Sequence, residues 1–307
     1  MKNLYDMIII GGGPGGYTAA LYAARAGMKA VVLEKLSAGG QMALTSQIDN
    51  YPGFAGGVDG WELAMQMQQQ AERFGAESIY ADVTKVDLLS SPRRIESSEG
   101  VFYGKAVVIA TGAGARKLGL PDEERLTGRG VHYCAHCDGM FYRGKTVAVV
   151  GGGNSAAADA MVLSRIAKKV ILIHRRDSLR ATKVYHEPLK KQENLEFRWN
   201  SAVSSLQEQN GRLSGITVKD LLSGEEADLE IDALFVSIGR RPVTELFVDQ
   251  LELDNGYIPA DESGRTAIPG VFAVGDVRTK ALRQVITAAA DGANAAHFAE
   301  EYLASLH

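Results

Sequence analysis

Two cysteines lie three positions apart in the segment 134–138, which has the sequence CAHCD. Thiols at this spacing, Cys134 and Cys137, can close a disulphide and exchange it with the dithiol of a partner. Asp138 follows directly and could protonate a leaving thiolate or deprotonate an incoming thiol. A role as an N-cap or first-turn acid is compatible with that chemistry. We expect Cys137 and Asp138 to open a short helix whose dipole lowers the thiol pKa.

Other interpretations of the cysteine pair remain open. A zinc site would need four ligands, and His132 and His136 are the histidines nearby in the sequence. Two buried, unreactive thiols are the second alternative. His136 is better explained as a spacing residue that tunes the potential of the dithiol than as a base. Because two cysteines in 307 residues cannot form a disulphide framework, redox chemistry is the favoured interpretation.

The elements around the cysteines repeat along the chain. Residues 7–35 and 147–176 each have the pattern of a strand, a glycine turn, an alanine-rich helix and a second strand. A second matched pair follows in the same order, because the segments 105–113 and 232–240 are both apolar strands that end in a glycine turn. Such a diverged repeat indicates two nucleotide-binding βαβ domains.

The first glycine turn fits the dinucleotide-binding pattern GxGxxG. Its glycines allow a tight turn, close approach of the backbone to a pyrophosphate, and close packing of helix on strand. The pattern is formed by Gly11, Gly13 and Gly16. Glu34 ends the next strand, where a carboxylate can accept hydrogen bonds from ribose hydroxyls and would repel a 2′-phosphate. A plain glycine turn is the alternative, but strand, helix and acid are all in place.

The second glycine turn has the allowed alanine variant and a different strand end. Its pattern is formed by Gly151, Gly153 and Ala156. The following strand ends in His174, Arg175 and Arg176, with Arg180 further on. Arginines at this place can bind a 2′-phosphate with two hydrogen bonds each, which favours NADP over NAD as the cofactor. The alternative interpretation is a solvated basic turn. One site with an acid and one with arginines suggest two cofactors, FAD in the first domain and NADPH in the second.

The last strand pattern indicates how the two domains are connected. The segment 271–277 is a short apolar strand, and the helical run 281–306 follows it instead of a third repeat. We therefore expect the second domain, residues 114–241, to be inserted into the first, which comprises residues 1–113 and 242–307.

Two segments with glycine and proline, 112–121 and 239–245, are the candidate linkers. The strand and helix patterns together predict an α/β fold class. It would consist of two Rossmann-like, three-layer ββα dinucleotide-binding domains, with the NADPH domain inserted in the FAD domain.

The composition argues against several classes of function. The chain has 46% hydrophobic and 23% charged residues, which is typical of globular proteins. A net charge of −4 leaves no domain-wide basic excess for binding nucleic acid. No apolar run approaches the roughly 18 residues of a membrane span, and the apolar start at 7–10 is too short for a signal peptide. We therefore expect a cytoplasmic protein.

Taken together, the motifs resemble the low-molecular-weight, bacterial-type thioredoxin reductases, which are class II pyridine nucleotide-disulphide oxidoreductases. The resemblance covers essentially the whole chain. The matching segments are GGGPGGYTAA at 11–20, GGQM at 39–42, DNYPG at 49–53, ATGA at 110–113, CAHCDG at 134–139, GGGNSA at 151–156, HRRDSLRA at 174–181, GVFAVGDV at 270–277 and RQVITAAADG at 283–292. No single segment is specific, but their combination is.

The resemblance implies a set of cofactor-binding residues in addition to the glycines of the two turns. Around FAD it implies Glu34, Gly39, Gly40, Gln41, Asn50, Thr111, Gly112, Gly275, Asp276, Arg283, Gln284 and Val285. Around NADPH it implies Asn154 and Ser155 beside Gly151, Gly153, Ala156, His174, Arg175, Arg176 and Arg180. It also implies that Cys137 lies against the flavin, that Cys134 attacks the disulphide of the partner, and that Asp138 handles protons.

The activity that the resemblance implies is NADPH-dependent reduction of the thioredoxin disulphide by a homodimer. Hydride would pass from NADPH to FAD, and electrons would then pass to the Cys134–Cys137 disulphide and on to thioredoxin. Because the dithiol and the NADPH site share one domain, that domain is expected to rotate about the linkers between the two half-reactions.

Two departures from the family pattern leave the partner open. His136 replaces the threonine that is common between the cysteines, which puts the redox potential and the partner preference in doubt. The segment 291–296 lacks a frequent third cysteine that the reaction does not require. The alternatives are a related flavin disulphide reductase or dithiol oxidase with a glutaredoxin-like protein, a peroxidase component or a small dithiol, a ferredoxin-fed reductase, and a non-enzymatic redox sensor or scaffold.

Overall fold

The computed structural model describes residues 3–45 and 47–306, apart from the side chains of Leu44, His136 and Cys137. The chain divides into two compact units. The outer unit consists of Met1–Gly114 and Pro242–His307, and the inserted unit consists of Ala115–Arg241. The divisions therefore fall at 114/115 and 241/242, where the sequence predicts 113/114 and 241/242.

Strands and helices alternate along most of the chain. The strands are β1 (Leu4–Ile10), β2 (Ala30–Glu34), β3 (Glu77–Tyr80), β4 (Val83–Asp87), β5 (Arg93–Ser97), β6 (Gly100–Ile109), β7 (Ala113–Ala115), β8 (Val131–His132), β9 (Thr146–Val150), β10 (Lys169–Ile173), β11 (Leu195–Arg198), β12 (Ser201–Gln209), β13 (Arg212–Asp220), β14 (Glu226–Glu230), β15 (Ala233–Val236), β16 (Arg240–Pro242) and β17 (Val271–Ala273). The α-helices are α1 (Pro14–Arg25), α2 (Gly60–Arg73), α3 (Glu123–Leu126), α4 (Ala135–Asp138), α5 (Asn154–Ser164), α6 (His186–Lys190) and α7 (Val285–Ala304).

The outer unit is built on a sheet with the strand order β3-β2-β1-β6-β5-β4, in which β17 also pairs with β6. The pairs from β3 to β6 and the β17 pair are parallel, whereas β4 and β5 run antiparallel to their neighbours. Residues 7–10 of β1 are all buried, as the continuous apolar run of a central parallel strand requires. β1 therefore ends inside the unit, where the first glycine turn leads the chain into α1.

Helices α1 and α7 pack against one face of this sheet. A side chain at Gly292 of α7 would overlap the carbonyl oxygen of Gly15 in α1, so the two helices approach to backbone contact. Ile9 of β1 belongs to the core on the helix side, whereas its neighbour Ile8 belongs to the core shared with β4, β5 and β6. The antiparallel strands, which continue the sheet through β6, thus cover the face opposite α1 and α7 as a third layer that the sequence does not localise.

The inserted unit has the same three layers. Its sheet has the order β11-β10-β9-β15-β8 with parallel pairs, and β12-β13-β14 form a separate antiparallel sheet. Val149 of β9 packs with α5 in one core, whereas the adjacent Ala148 packs with β12 and β13 in the other. This alternation places a helical layer on one face and the antiparallel sheet on the other. The predicted α/β fold with two Rossmann-like domains is confirmed.

Helix α7 begins later than its sequence pattern predicts. The helical run was expected from residue 281, but the helix begins at Val285, so the prediction is wrong for residues 281–284. The cause is a capping box: the Gln284 side chain accepts a hydrogen bond from the backbone of Thr287, and Thr287 Oγ1 accepts one from Gln284 N at 3.1 Å. Neither α7 nor any other helix within the described residues is long and apolar enough to cross a membrane.

The chain passes between the units at two places, where β7 and β16 pair. In the outer unit, Val243 N donates a hydrogen bond to Gly112 O at 3.0 Å, and Thr111 Oγ1 donates to Val243 O at 2.6 Å. In the inserted unit, Arg116 N donates to Gly239 O at 3.0 Å. Each crossing contains a glycine with positive φ, +71° at Gly112 and +118° at Gly239.

Candidate functional site

The first glycine turn connects β1 to α1. Gly11 has φ +105°, and a Cβ there would lie 2.5 Å from Ala110 O, so any other residue would be strained. A Cβ at Gly16 would overlap Gly11 O, which explains the close packing of helix on strand. Gly13 precedes α1, and apart from its chain neighbours no heavy atom of the described chain lies within 4 Å of the place where its Cβ would be. The space beside Gly13 at the start of α1 is therefore open to an anion.

Glu34 ends β2 beside this turn, as predicted from its place in the sequence. Its Oε2 accepts a hydrogen bond from Gly12 N at 2.5 Å, and its Oε1 accepts one from Leu36 N at 3.2 Å. The carboxylate is half-buried. The carboxylate is thus held at the edge of the turn, where a ribose hydroxyl could donate to it in place of a backbone N–H.

The other residues predicted around FAD follow the carboxyl ends of neighbouring parallel strands. Gly39 N donates to Gly12 O at 2.7 Å and precedes the short 3₁₀ helix Gly40–Leu44, which contains Gly40 and Gln41. Thr111 and Gly112 follow β6, and Gly275 and Asp276 lie in the 3₁₀ helix Gly275–Val277 after β17. Because β1, β2, β6 and β17 are parallel, these segments lie at one edge of the sheet.

The four further residues predicted around FAD are Asn50 and, at the start of α7, Arg283, Gln284 and Val285. Asn50 Nδ2 donates to Gln284 Oε1 at 2.8 Å across 234 positions of the chain. Gln284 caps α7, and Val285 is its first residue. The Arg283 guanidinium lies 4.2 Å from the ring centroid of Tyr257, and its Nε is buried without a hydrogen-bond partner among the described residues.

A buried charged cluster supports this edge, and the sequence analysis did not single it out. Asp291 of α7 accepts hydrogen bonds from Gly275 N at 2.8 Å, from Arg278 Nη1 at 2.9 Å and from Lys280 Nζ at 2.6 Å. One carboxylate therefore fixes the loop after β17 to α7 while it compensates two buried cations. An acid in the alanine-rich first half of α7 was the available signal.

The second glycine turn connects β9 to α5. Gly151 has φ +149°, and a Cβ there would lie 2.7 Å from the Cβ of Ala156. Gly153 precedes α5, and within the described residues no heavy atom other than those of its chain neighbours lies within 4 Å of the place of its Cβ. Asn154 Oδ1 accepts a hydrogen bond from Thr182 N at 2.8 Å, so this predicted ligand also fixes the following loop. Ser155 is exposed in the first turn of α5.

A basic cluster follows β10, the strand next to this turn. His174 is buried, whereas Arg175, Arg176 and Arg180 are exposed. None of the three arginines forms a salt bridge with a carboxylate in the described part of the chain. Burial and the charges of Arg180, Arg176 and Arg175 lower the pKa of His174 below its usual value. The cluster therefore presents uncompensated positive charge near the open start of α5.

The dithiol segment also belongs to the inserted unit. Cys134 is disulphide-bonded and directly precedes α4. The predicted start of the helix at Cys137 and Asp138 is wrong, because α4 begins at Ala135 and Asp138 is its last residue. Asp138 N donates to Cys134 O at 3.1 Å and closes this single turn. A single turn has little macrodipole, so the predicted depression of the thiol pKa loses its cause.

The side chains of His136 and Cys137, for which we predicted roles in tuning and in the dithiol, lie outside the described residues. Asp138 is described, and its side chain is 25% exposed. Its Oδ2 lies 2.9 Å from Nδ1 of the buried His132, and Nε2 of His132 lies 2.7 Å from the hydroxyl of Tyr142. Both ring nitrogens of His132 are thus engaged within the unit, which argues against the zinc alternative.

Comparisons with known proteins agree with this arrangement. A family model described as "Pyridine nucleotide-disulphide oxidoreductase" matches residues 5–292. A thioredoxin reductase of Streptomyces clavuligerus is 46% identical over 310 aligned residues, covering 100% of this chain and 96% of the relative. A thioredoxin reductase of Treponema pallidum is 43% identical over 306 residues, covering 100% and 99%.

Solved structures give the same result. The thioredoxin reductase of Streptococcus pyogenes is 42% identical, with a TM-score of 0.81 and coverage of 99% of this chain and 100% of that one. The chain therefore belongs to the pyridine nucleotide-disulphide oxidoreductase family and, within it, to the thioredoxin reductases.

Proposed function

We propose that this chain reduces the disulphide of thioredoxin with electrons from NADPH, with FAD bound by the outer unit and NADPH by the inserted unit. The observation that carries the proposal is the contrast between the two glycine turns, one beside the acid Glu34 and the other beside a cluster of arginines. Cys134 and Cys137 lie in the unit with the arginines. Pyridine nucleotide and disulphide are the two substrates that the family is named for.

The residues of the outer unit fit FAD. The open start of α1 suits a pyrophosphate, and Glu34 is placed to accept a ribose hydroxyl. Among the remaining predicted ligands, Gly40, Gln41, Thr111 and Asp276 lie in segments after the parallel strands, and Val285 is the first residue of α7. The buried Nε of Arg283 offers a donor that the described protein groups leave unused.

The residues of the inserted unit fit NADPH. The open start of α5 suits the pyrophosphate, with Gly153 and Ser155 beside it. Arg175, Arg176 and Arg180 are exposed and would bind the 2′-phosphate that distinguishes NADPH from NADH. In such enzymes the bound nucleotide and flavin supply the electron pair that reduces the protein disulphide.

The dithiol then carries out exchange with the protein partner. The Cys134 thiolate attacks one sulphur of the partner disulphide, a mixed disulphide forms, and Asp138 donates a proton to the leaving thiolate. Attack by Cys137 on Cys134 releases the second partner thiolate and restores the intramolecular disulphide. Met140 and Phe141, which are 55% and 70% exposed, offer an apolar surface close in sequence to the dithiol. Such a surface favours a protein partner over a small dithiol.

Because the dithiol and the NADPH turn belong to the inserted unit, both must reach a flavin bound by the outer unit. We therefore retain the proposal that the inserted unit rotates about the two crossings between the half-reactions.

An anaerobic titration tests the proposed function. NADPH should bleach the flavin, and oxidised thioredoxin should restore its absorbance in the wild-type protein but not in Cys134→Ser. A flavin that NADPH bleaches and that no thioredoxin reoxidises would favour a different disulphide partner.

A further inference from the structure

Behind Asp138 lies a hydrogen-bonded chain that the proposed exchange chemistry leaves unexplained. His132 ends β8, and its imidazole is buried. Its Nδ1 is 2.9 Å from Asp138 Oδ2, and its Nε2 is 2.7 Å from the hydroxyl of Tyr142. Three successive elements, β8, α4 and the 3₁₀ helix Gly139–Tyr142, each contribute one member.

Aromatic packing fixes the orientation of the imidazole. The His132 ring stacks on Phe235, with centroids 5.4 Å apart and an interplanar angle of 27°. Phe235 lies opposite His132 in the β8–β15 pair and is fully buried. Tyr142 approaches the same ring edge-on, with centroids 5.2 Å apart. A rotated imidazole would lose this packing together with both hydrogen bonds, so the ring has one favourable orientation.

The hydrogen-bonding partners determine the tautomer of a neutral His132 at rest. An ionised Asp138 carboxylate only accepts hydrogen bonds, so in the resting protein Nδ1 carries the hydrogen and Nε2 accepts from Tyr142. Burial raises the pKa of Tyr142, while the charge of Arg212 lowers it and Asp138 and Asp232 raise it. The net direction is upward, so the hydroxyl stays a donor at neutral pH.

This arrangement couples Asp138 to the one type of side chain that ordinarily changes charge in the neutral range. We propose, on the basis of the function proposed above, that His132 is a positioning residue that holds Asp138 in place and shares one proton with it. In the loaded state His132 is an imidazolium and Asp138 a carboxylate. When the partner thiolate leaves, the proton on Nδ1 of His132 passes to Asp138, and Asp138 passes a proton to the thiolate. His132 is then neutral with its hydrogen on Nε2, and the bare Nδ1 beside the carboxylate takes up the proton that Cys137 loses.

One complete exchange is balanced in protons and in electrons. Two electrons pass from the protein dithiol to the partner disulphide, and the two protons lost by Cys134 and Cys137 replace those given to the two partner thiolates. The His132–Asp138 pair holds a proton between its release and its use. Sulphur–sulphur bonds break and form only at Cys134, Cys137 and the partner.

Substitution of His132 by asparagine separates positioning from proton sharing. In His132→Asn the side-chain amide can still donate a hydrogen bond to Asp138, but it cannot take up an additional proton at neutral pH. Tyr142→Phe keeps the ring and removes the partner of Nε2. His297→Asn is the matched control, because His297 is an exposed histidine in α7 of the outer unit.

The measurement is the oxidative half-reaction of pre-reduced enzyme, followed by stopped flow from pH 6 to 8.5. We expect His132→Asn to react about tenfold more slowly with thioredoxin disulphide and to lose the pH dependence of the neutral range. Tyr142→Phe should shift the midpoint of the pH profile. The reduction of flavin by NADPH should be unchanged in both variants, and His297→Asn should match the wild type in both half-reactions.

The same series is run in parallel with the small disulphide 5,5′-dithiobis(2-nitrobenzoate). A wild-type enzyme that reduces this reagent but no thioredoxin overturns the proposed partner, and the pH profiles with the reagent then still test His132. If His132→Asn shows the rates and the pH profile of the wild type, the inference is overturned. If His132→Asn does not fold, judged by urea unfolding followed by circular dichroism, an unshifted profile in Tyr142→Phe overturns it.

Discussion

The hydroxyl of Tyr133 donates a hydrogen bond to Glu123 Oε1 at 2.9 Å. The same buried carboxylate accepts hydrogen bonds from Leu118 N and Gly119 N, both at 2.8 Å. Burial, with the nearby Glu123 carboxylate, raises the pKa of Tyr133 to about 12, so its hydroxyl remains a donor at neutral pH. One carboxylate thus joins the chain that enters the inserted unit to the residue directly before Cys134.

Replacing this carboxylate should destabilise the inserted unit. In Glu123→Gln, an amide NH₂ replaces one carboxylate oxygen, so a buried backbone N–H loses its hydrogen-bond acceptor. This loss should lower the free energy of unfolding by about 2 kcal/mol. The exposed neighbour Glu124 is the matched control, and Glu124→Gln should change the free energy of unfolding little. Urea unfolding followed by circular dichroism measures both. Equal unfolding midpoints for the two variants would contradict this account.

Asp291 should be essential for flavin retention and for stability. Asp291→Asn leaves Arg278 and Lys280 buried without a counter-charge, which should cost about 3 kcal/mol, and it weakens the support of Gly275. We expect less flavin per chain, measured by absorbance after gel filtration, and a lower melting temperature. Glu300→Gln, at an exposed position of the same helix, should affect neither. An Asp291→Asn protein with full flavin content would refute the supporting role.

The sequence predicts the two glycine turns well because the backbone there accepts only glycine. Gly11 and Gly151 both have positive φ, and a side chain at either would overlap a carbonyl oxygen, that of Ala110 or of Ser237. The strand and helix patterns on either side are local signals. These features depend on neighbours in the chain and on parallel pairing, which apolar runs indicate.

Features that depend on tertiary folding were not predictable in the same way. His132 was considered only as a zinc ligand, because its partners Asp138 and Tyr142 reach it only after α4 and the following 3₁₀ helix have formed. Glu123 lies in the acidic segment DEE at 122–124, which has the composition of an exposed turn, yet it is buried by backbone donors. In both cases a polar side chain is buried because donors converge on it, and hydrophobic patterning carries no signal for that.

The arginines after β10 should determine the choice of nucleotide. Replacing Arg175 and Arg176 with glutamine removes charge-assisted hydrogen bonds to a 2′-phosphate, so the KM for NADPH should rise about tenfold or more. The KM for NADH should change little. Arg165→Gln, which changes an exposed arginine at the opposite end of α5, is the control. Steady-state kinetics with both nucleotides measures the two KM values. An equal rise in the KM for NADPH and for NADH would exclude this role of the arginines.

His174 should make stability depend on pH in the acidic range. Its pKa is lowered by burial and by Arg180, Arg176 and Arg175, so below the ordinary histidine pKa of about 6.5 the unfolded chain binds a proton that the folded protein does not. The stability that neutral His174 contributes is present above that pH and is lost as the pH falls. His174→Asn should therefore flatten the dependence of the urea midpoint on pH between about 7 and 5. His297→Asn should keep the wild-type slope, and an unchanged slope in His174→Asn would disprove the assignment.

Gly239, at the crossing from the inserted unit back to the outer unit, should control turnover without controlling flavin binding. Its φ is +118°, and apart from its chain neighbours no heavy atom of the described residues lies within 4 Å of where its Cβ would be. Alanine is therefore opposed by backbone strain alone, about 1 kcal/mol, and it narrows the φ/ψ range that a hinge needs. Gly224 is the matched control, because its φ is +79° and it has the same open surroundings in the turn between β13 and β14. Gly239→Ala should keep its flavin and turn over several-fold more slowly with thioredoxin, whereas Gly224→Ala should lose stability but not turnover. If the two variants turn over equally fast, motion at this crossing does not limit the reaction.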